Sequence, residues 1–381
     1  MRLPPVIALQ GVFAMNAMAI SLWFPRIPDV KSALALDYRV LSLCLLGLPL
    51  GLMIGFLTAP RILHWLHHRR TIVVFGILHP LLMIPPAFAA SPMMLFLALA
   101  IAGWAMSNIE IGMNAKTNVV QEALGRRIMS RCHGMWSIGG MFGALIGGWC
   151  AKNSISFAEQ QMIFEPLVAM LATIFALSLP VDAATETEPK QAGFGIPSGP
   201  LLVLCLLPLG APIIEGTMLD WSVLYAREIL FAGPFEASAI FAVFAVSMGL
   251  WRIAGDTLTE MLGVATILIL SGIALVVGVL LFVATDNLLI SGLGAFIAGF
   301  GSANPYPLAI SLSHHLPGRS REGNVATIAI AAFTVFLVGP PLIGFLADSF
   351  GLSRAFLALI PFALIAPVLV LTGAVHKEAT P

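Results

Sequence analysis

Glu215 and Asp220 stand in the stretch EGTMLDW (215–221), inside an apolar run that begins at Leu201 and continues to about Tyr225. A carboxylate left charged at the centre of a bilayer costs about 2.5–3.5 kcal/mol on insertion scales, so an acid kept there has a use: proton carrier, solute ligand or partner of a buried base. Five residues turn the two acids about 140° apart and place them about 7.5 Å apart along a straight helix, so they cannot address one target. Pro212 and Gly216 relax that limit if they break the helix. The reading is that Glu215, near the middle of the run, faces a central cavity and carries a proton or contacts solute, while Asp220 faces an interhelical partner. The alternative is that both acids only hold helices together.

Glu110 is the third such acid. With Gly103, Ser107 and Asn114 it draws one polar, small-residue stripe towards Lys116, because steps of three and four residues return to the same helix face. Such a stripe lines a water-filled cavity or packs closely on a neighbouring helix. Asn16 and Trp23 share a side of another apolar run. Asn304 and Tyr306 lie in ANPYP (303–307), where the prolines free backbone carbonyls. Amides and aromatic rings suit the hydroxyls and C–H faces of a neutral polyol or sugar; helix–helix hydrogen bonds are the other use of the same residues.

Composition decides what positions these groups. Of 381 residues, 59% are hydrophobic and 10% charged, with zero net charge, and the mean hydropathy is +0.97. A soluble domain carries about 25% charged residues, and no soluble surface holds so much apolar side chain. The chain therefore reads as an all-α polytopic membrane protein, its runs too long and continuous for a closed barrel. A bilayer core takes about 20 residues per helix. Reading between polar breaks gives twelve transmembrane helices, starting near residues 5, 39, 71, 92, 130, 161, 201, 235, 262, 287, 323 and 354. Proline and glycine make spans 1, 7 and 10 the least regular. The first run, which contains AMA at 17–19, reads as a retained span rather than a cleaved signal peptide.

Several function classes drop out. Neutral net charge gives no argument for nucleic acid. HWLHHRR (64–70) and SHHLPGRSR (313–321) have no acid or cysteine to complete a metal site, and read as basic loops. The cysteines 44, 132, 150 and 205 are scattered and apolar in setting. GGMFGALIGG (139–148) neither follows a strand nor carries Lys-Ser/Thr, so its glycines read as a packing surface rather than a phosphate loop. No catalytic or nucleotide motif is found, so no enzyme and no cofactor is expected, and uphill work would draw on an ion gradient.

The Lys and Arg bias places the N-terminus, the C-terminus and most of the 19 basic residues on the cytoplasmic side. The longest polar connector, 181–200, reads as a cytoplasmic linker between six-helix halves, 1–180 and 201–381. GWAMSN (103–108) echoes GFGSAN (299–304), and GALIG (143–147) echoes GPPLIG (339–344), at the same spacing. Twelve helices in two parallel-related repeats is a transporter architecture.

EGTMLDW, GLWRIAGD (249–256), HGMWSIGGMFGALIGG (133–148) and VGPPLIGFLADSFGLSRA (338–355), in that setting, resemble the major facilitator superfamily along the whole chain. Within it the chain is most similar to the YbjJ-like bacterial inner-membrane proteins, related to the fucose-permease group. The resemblance implies two pseudo-symmetric six-helix halves in a monomer, rocking about a midplane site. It also implies that the outer ends of spans 1 and 7 face each other, pairing Arg26 with Asp220 as an outer gate; an unpaired arginine reaching for the interface is the alternative. One departure stands out: GFLTAPRILHWLHHRR (55–70) has Ala59 where the superfamily keeps an acid between spans 2 and 3. The cytoplasmic gate then rests on Arg252 and Asp256. The expected activity is secondary transport of a small organic solute, sugar-like or another polar metabolite, across the bacterial inner membrane with protons as coupling ion. A proton-antiport exporter and a non-transporting receptor on the same fold are the alternatives.

Overall fold

A computed structural model describes residues 3–181, 199–313, 316 and 321–375, all helix, turn or connecting coil. The expected linker falls almost wholly outside these residues, as does most of SHHLPGRSR. Ten helical stretches are long and apolar enough to cross a membrane. One of them, Tyr38–Phe88, has 51 residues, more than twice the ~20 that a bilayer core requires. It reverses at His67, whose φ of 59° and ψ of 168° leave the helical region. Packing against Pro92–Leu124 proves the reversal. Gly47, Gly51 and Gly55 meet Phe96, Ala100 and Trp104 in parallel order, whereas Gly76 and Thr71 meet Ile109 and Gly112 in antiparallel order.

Met129–Lys152, a 24-residue helix diluted by glycine and polar residues, completes twelve passes. Spans 1 to 12 are thus Pro5–Ala33, 38–66, 68–88, Pro92–Leu124, Met129–Lys152, Phe157–Ser178, Pro200–Glu228, Pro234–Leu262, Val264–Val283, Leu288–Ser313, Gly323–Phe350 and Leu352–Leu371. Local signals set their ends. Ser91 caps span 4 by accepting from the Met94 amide, and Gly125 at φ 62° ends it. Ser156 and Glu159 form a capping box on span 6. Interruptions fall in spans 1, 7 and 10, where proline and glycine announced them, and also in spans 2, 3 and 12.

Small residues bring the helices together, as they must where lipid removes the hydrophobic drive between spans. Gly139, Gly143 and Gly147 of span 5 lie against Ala14, Met18 and Leu22 of span 1; a Cβ at the first two would strike backbone, and one at Gly147 would crowd the Pro25 ring. The parallel contact of spans 2 and 4 has its repeat in spans 8 and 10, where Gly299 meets Phe244 and Ser247. Spans 5 and 8 join the halves through Gly148 against Ser238 and Gly249 against Ser137, and spans 2 and 11 through Gly344 against Ser42.

With the face that bears Pro5 called the near face, the two ends differ. At the far end one apolar core runs through both halves, including Trp23, Phe24, Trp221, Tyr225 and Phe241. Towards the near end the core divides: Ile72, Phe75 and Ile109 belong to one cluster, and Leu204, Leu268 and Ile328 to another.

Candidate functional site

Between the halves lies a cavity of about 500 Å³ lined by spans 1, 2, 4, 5, 7, 8, 10 and 11. Six of the residues singled out in the sequence reach it: Glu110, Asn114, Glu215, Asp220, Arg252 and Tyr306. Span 7 breaks at residues 207–209, not at Pro212 or Gly216, and runs unbroken over Gly210–Glu228. Glu215 and Asp220 both line the cavity, each from its own side of that unbroken helix.

Glu215 is taken. Arg252 of span 8 donates through Nη2 to both of its carboxylate oxygens, at 3.3 and 3.2 Å. Asp256, named with Arg252 for the expected cytoplasmic gate, is exposed, whereas Arg252 turns into the cavity. The physical reason is a choice between an acid one turn away at the protein surface and one inside a cavity with low exposure, where a charge gains more from pairing.

The expected outer gate is also different. Arg26 is 2% exposed; its Nε lies 3.0 Å from Asp29, and its Nη2 donates to the Ile155 carbonyl at 2.8 Å. The 3₁₀ turn Phe24–Arg26 bends the chain so that an acid three residues on is the nearest partner, and Asp220 is left without it. What crosses the halves at the far end is Glu228. It accepts from Lys31 at 2.9 Å and from the Tyr38 hydroxyl at 2.5 Å. Phe24 and Phe241 also stack across the halves at 5.2 Å, and Lys152 lies 3.5 Å from Glu236. Sequence reasoning missed Glu228; its signal was the closing YARE of span 7, placed like the closing lysine of WFPRIPDVK.

Asn16, Trp23 and Asn304 lie outside the cavity lining. Asn16 is 1% exposed inside the N-terminal half, Trp23 packs on Phe157 at 5.7 Å, and Asn304 sits at the break in span 10 against Gly255. Asn114 spends its amide on the Glu110 carbonyl at 2.9 Å. His133, quoted only as part of a glycine-rich motif, also lines the cavity and sets its ring edge-on to Phe13 at 5.1 Å. Among the described residues no three His, Cys, Asp or Glu side chains converge as metal ligands would. The remaining wall is apolar, with Phe24, Met106, Met113, Trp136, Phe333 and Phe336 prominent. Among the described residues the carboxyl groups of Glu110 and Asp220 make no ion pair or hydrogen bond.

Twelve helices in two joined halves around a central cavity define a membrane transporter fold. Residues 9–335 match the model of the Major Facilitator Superfamily, and the chain belongs to that family. It is a secondary transporter, not an enzyme. Relatives include an uncharacterized MFS-type transporter of Yersinia pestis, 28% identical over 92% of this chain and 91% of the relative. Membrane protein MosC of Rhizobium meliloti is 24% identical over 94% and 88%. Among solved structures, the nucleoside transporter NupG superposes with a TM-score of 0.76 at 12% identity, covering 98% of this chain and 100% of that one. A D-xylose-proton symporter gives 0.73 at 11%, covering 99% and 97%.

Proposed function

We propose that the chain moves a small organic solute across the bacterial inner membrane by alternating access of residues 1–180 and 201–381, in exchange for protons. The near face is assigned to the cytoplasm on the Lys and Arg bias, which puts both termini inside. The likeness to YbjJ-like proteins in the quoted motifs is part of this reading.

One observation carries it: each half contributes one unpartnered acid, Glu110 and Asp220, to the wall of a shared cavity. Apolar walls favour the neutral form of a carboxyl group and water favours the charged form, so a cavity that changes its access can load and unload a proton. Arg252 neutralises Glu215, which leaves Glu110 and Asp220 as surplus acid in the cavity that His133 also lines. Of the residues expected to bind a polyol, only Tyr306 lines the cavity. An amphipathic solute with an amine or other cationic group fits this wall better than a neutral sugar, its charge replacing the proton and its apolar body meeting the aromatic rings. A volume of about 500 Å³ is within the ~300–1,000 Å³ of small-molecule sites. That open volume argues against a non-transporting receptor, which would suit a cavity filled by side chains.

Inside-out vesicles with an imposed proton gradient test this. Tetraphenylphosphonium should accumulate with the wild-type protein and not with E110Q or D220N, while D-xylose does not accumulate. Accumulation of the sugar and not of the cation would reverse the solute assignment.

A further inference from the structure

A buried acid lies outside the cavity and takes no part in the function proposed above. Glu165 of span 6 is 0% exposed. One of its oxygens accepts from Gln161 Nε2 at 3.3 Å, and the other, Oε2, has no partner. His79 of span 3 is also 0% exposed, and neither of its ring nitrogens has a partner. Asn16 of span 1 is buried with both amide atoms unpartnered. More than ~90% of buried polar groups in native proteins are satisfied, so three orphans in one bundle ask for a ligand.

The helix register brings them to one level. Gln161 donates to the Met83 carbonyl at 2.8 Å, and Ala172 lies against Gly76. His79 falls between Gly76 and Met83 on one stripe of span 3, and Glu165 falls between Gln161 and Ala172 on one stripe of span 6, because steps of three and four keep a face. Span 1 gives the depth alone: Gly11 lies against Phe175, and Leu22 accepts from Gln160 at 2.9 Å, with Asn16 between them along the axis and about 140° round the helix from Gly11. The three groups lie within about one helical turn of each other in depth.

The charged surroundings are sparse. Span 1 offers no ionisable residue over Pro5–Ser21; beyond its break Arg26 lies 5.7 Å over the Phe157 ring at the start of span 6 and pairs with Asp29, and the turn Pro85–Phe88 offers none. Span 3 offers His79 at this level, with Arg69 bonding the Leu177 carbonyl at the near end. Span 5, in lesser contact, carries Arg131, Cys132, His133, Cys150 and Lys152, and span 6 itself adds Glu159 at its start. An ionised Glu165 would be an uncompensated buried charge, a state that a carboxyl group avoids by holding a proton.

We infer that Glu165, faced by His79, is a second proton-binding site, inside the N-terminal half and separate from the cavity acids. In this conformation Glu165 is the neutral acid. When spans 1, 3 and 6 part enough to admit water, its O–H bond breaks, the proton leaves to water, and the carboxylate remains on Gln161. His79 is a positioning residue whose N–H favours that carboxylate.

Infrared difference spectroscopy of the full chain in lipid nanodiscs, stepped between about pH 5 and about pH 8, tests the site without reference to any solute. A protonated-carboxyl band should be lost in E165Q and kept in E110Q and D220N. It should disappear as pH rises, and H79L should move its midpoint up by about one unit. If E165Q does not fold, the H79L shift decides alone. Carboxyl bands unchanged by E165Q, or a band that neither titrates nor moves in H79L, would overturn the inference.

Discussion

The far end of the molecule and the near end are built from the same repeat and are held differently. At the far end a single apolar core crosses both halves, and Glu228 ties Lys31 and Tyr38 across the joint. Towards the near end each half closes on its own core, and the described contacts across the joint are apolar, such as Phe56 with Phe333 at 4.5 Å. The lesson is a division of labour among charges. Lys31 and Glu228 at the far end have each other and act as a latch for one state; among the described residues two of the acids in the cavity between the ends have no such pair and remain available for chemistry.

Four substitutions sharpen or break that contrast. The largest effect is expected from Phe241→Ala, since Phe241 is 1% exposed in the shared core and stacks on Phe24. Losing a buried phenylalanine costs about 3–5 kcal/mol, and here the loss falls on the far-closed state. Impermeant labelling of a cysteine placed on the cavity side of the latch should rise sharply; labelling equal to that of the parent would show that the core does not hold this end shut.

Next comes Arg252→Gln, which strands Glu215 in the cavity. Breaking a buried pair costs up to about 3–5 kcal/mol, and with side chains 28% and 13% exposed the lower end applies. The melting temperature should fall, and adding Glu215→Gln should restore part of it. No recovery in the double variant would mean that the pair is not what Arg252 contributes.

Lys31→Glu should weaken the latch by about 1.4 kcal/mol, a tenfold shift in a two-state equilibrium, readable as a changed distance distribution between spin labels across the far end. Glu228→Lys in the same chain should reverse most of it. Lys152→Ala sets the floor: its pair with Glu236 is 55% and 44% exposed, and exposed pairs contribute about 0–1 kcal/mol, so neither stability nor distances should move.

Much of this was legible in the sequence. Hydropathy and turn residues give twelve passes, and the glycine steps of span 5 announce its packing on span 1. The acids of spans 4 and 7 stand out because charge is rare in lipid. Partner choice was not legible. It depends on how each helix is rotated and where it breaks, which no single span encodes. Arg26 turns to Asp29 because a 3₁₀ turn intervenes, and Arg252 reaches across to span 7 rather than along its own helix. Asn16 and Trp23 miss the cavity for a related reason: they share a side of span 1, but that side packs into the N-terminal half. Glu165 went unread because its span begins with a capping box and two glutamines, which read as a helix start.

Proton release on solute binding is the most direct test of the cavity acids. Purified protein in weakly buffered detergent solution would receive tetraphenylphosphonium while pH is followed with an indicator. Exchange at Glu110 and Asp220 requires that binding acidify the solution, and that the E110Q and D220N double variant bind without acidifying it. Saturable binding to the wild-type protein with no proton released would contradict the exchange.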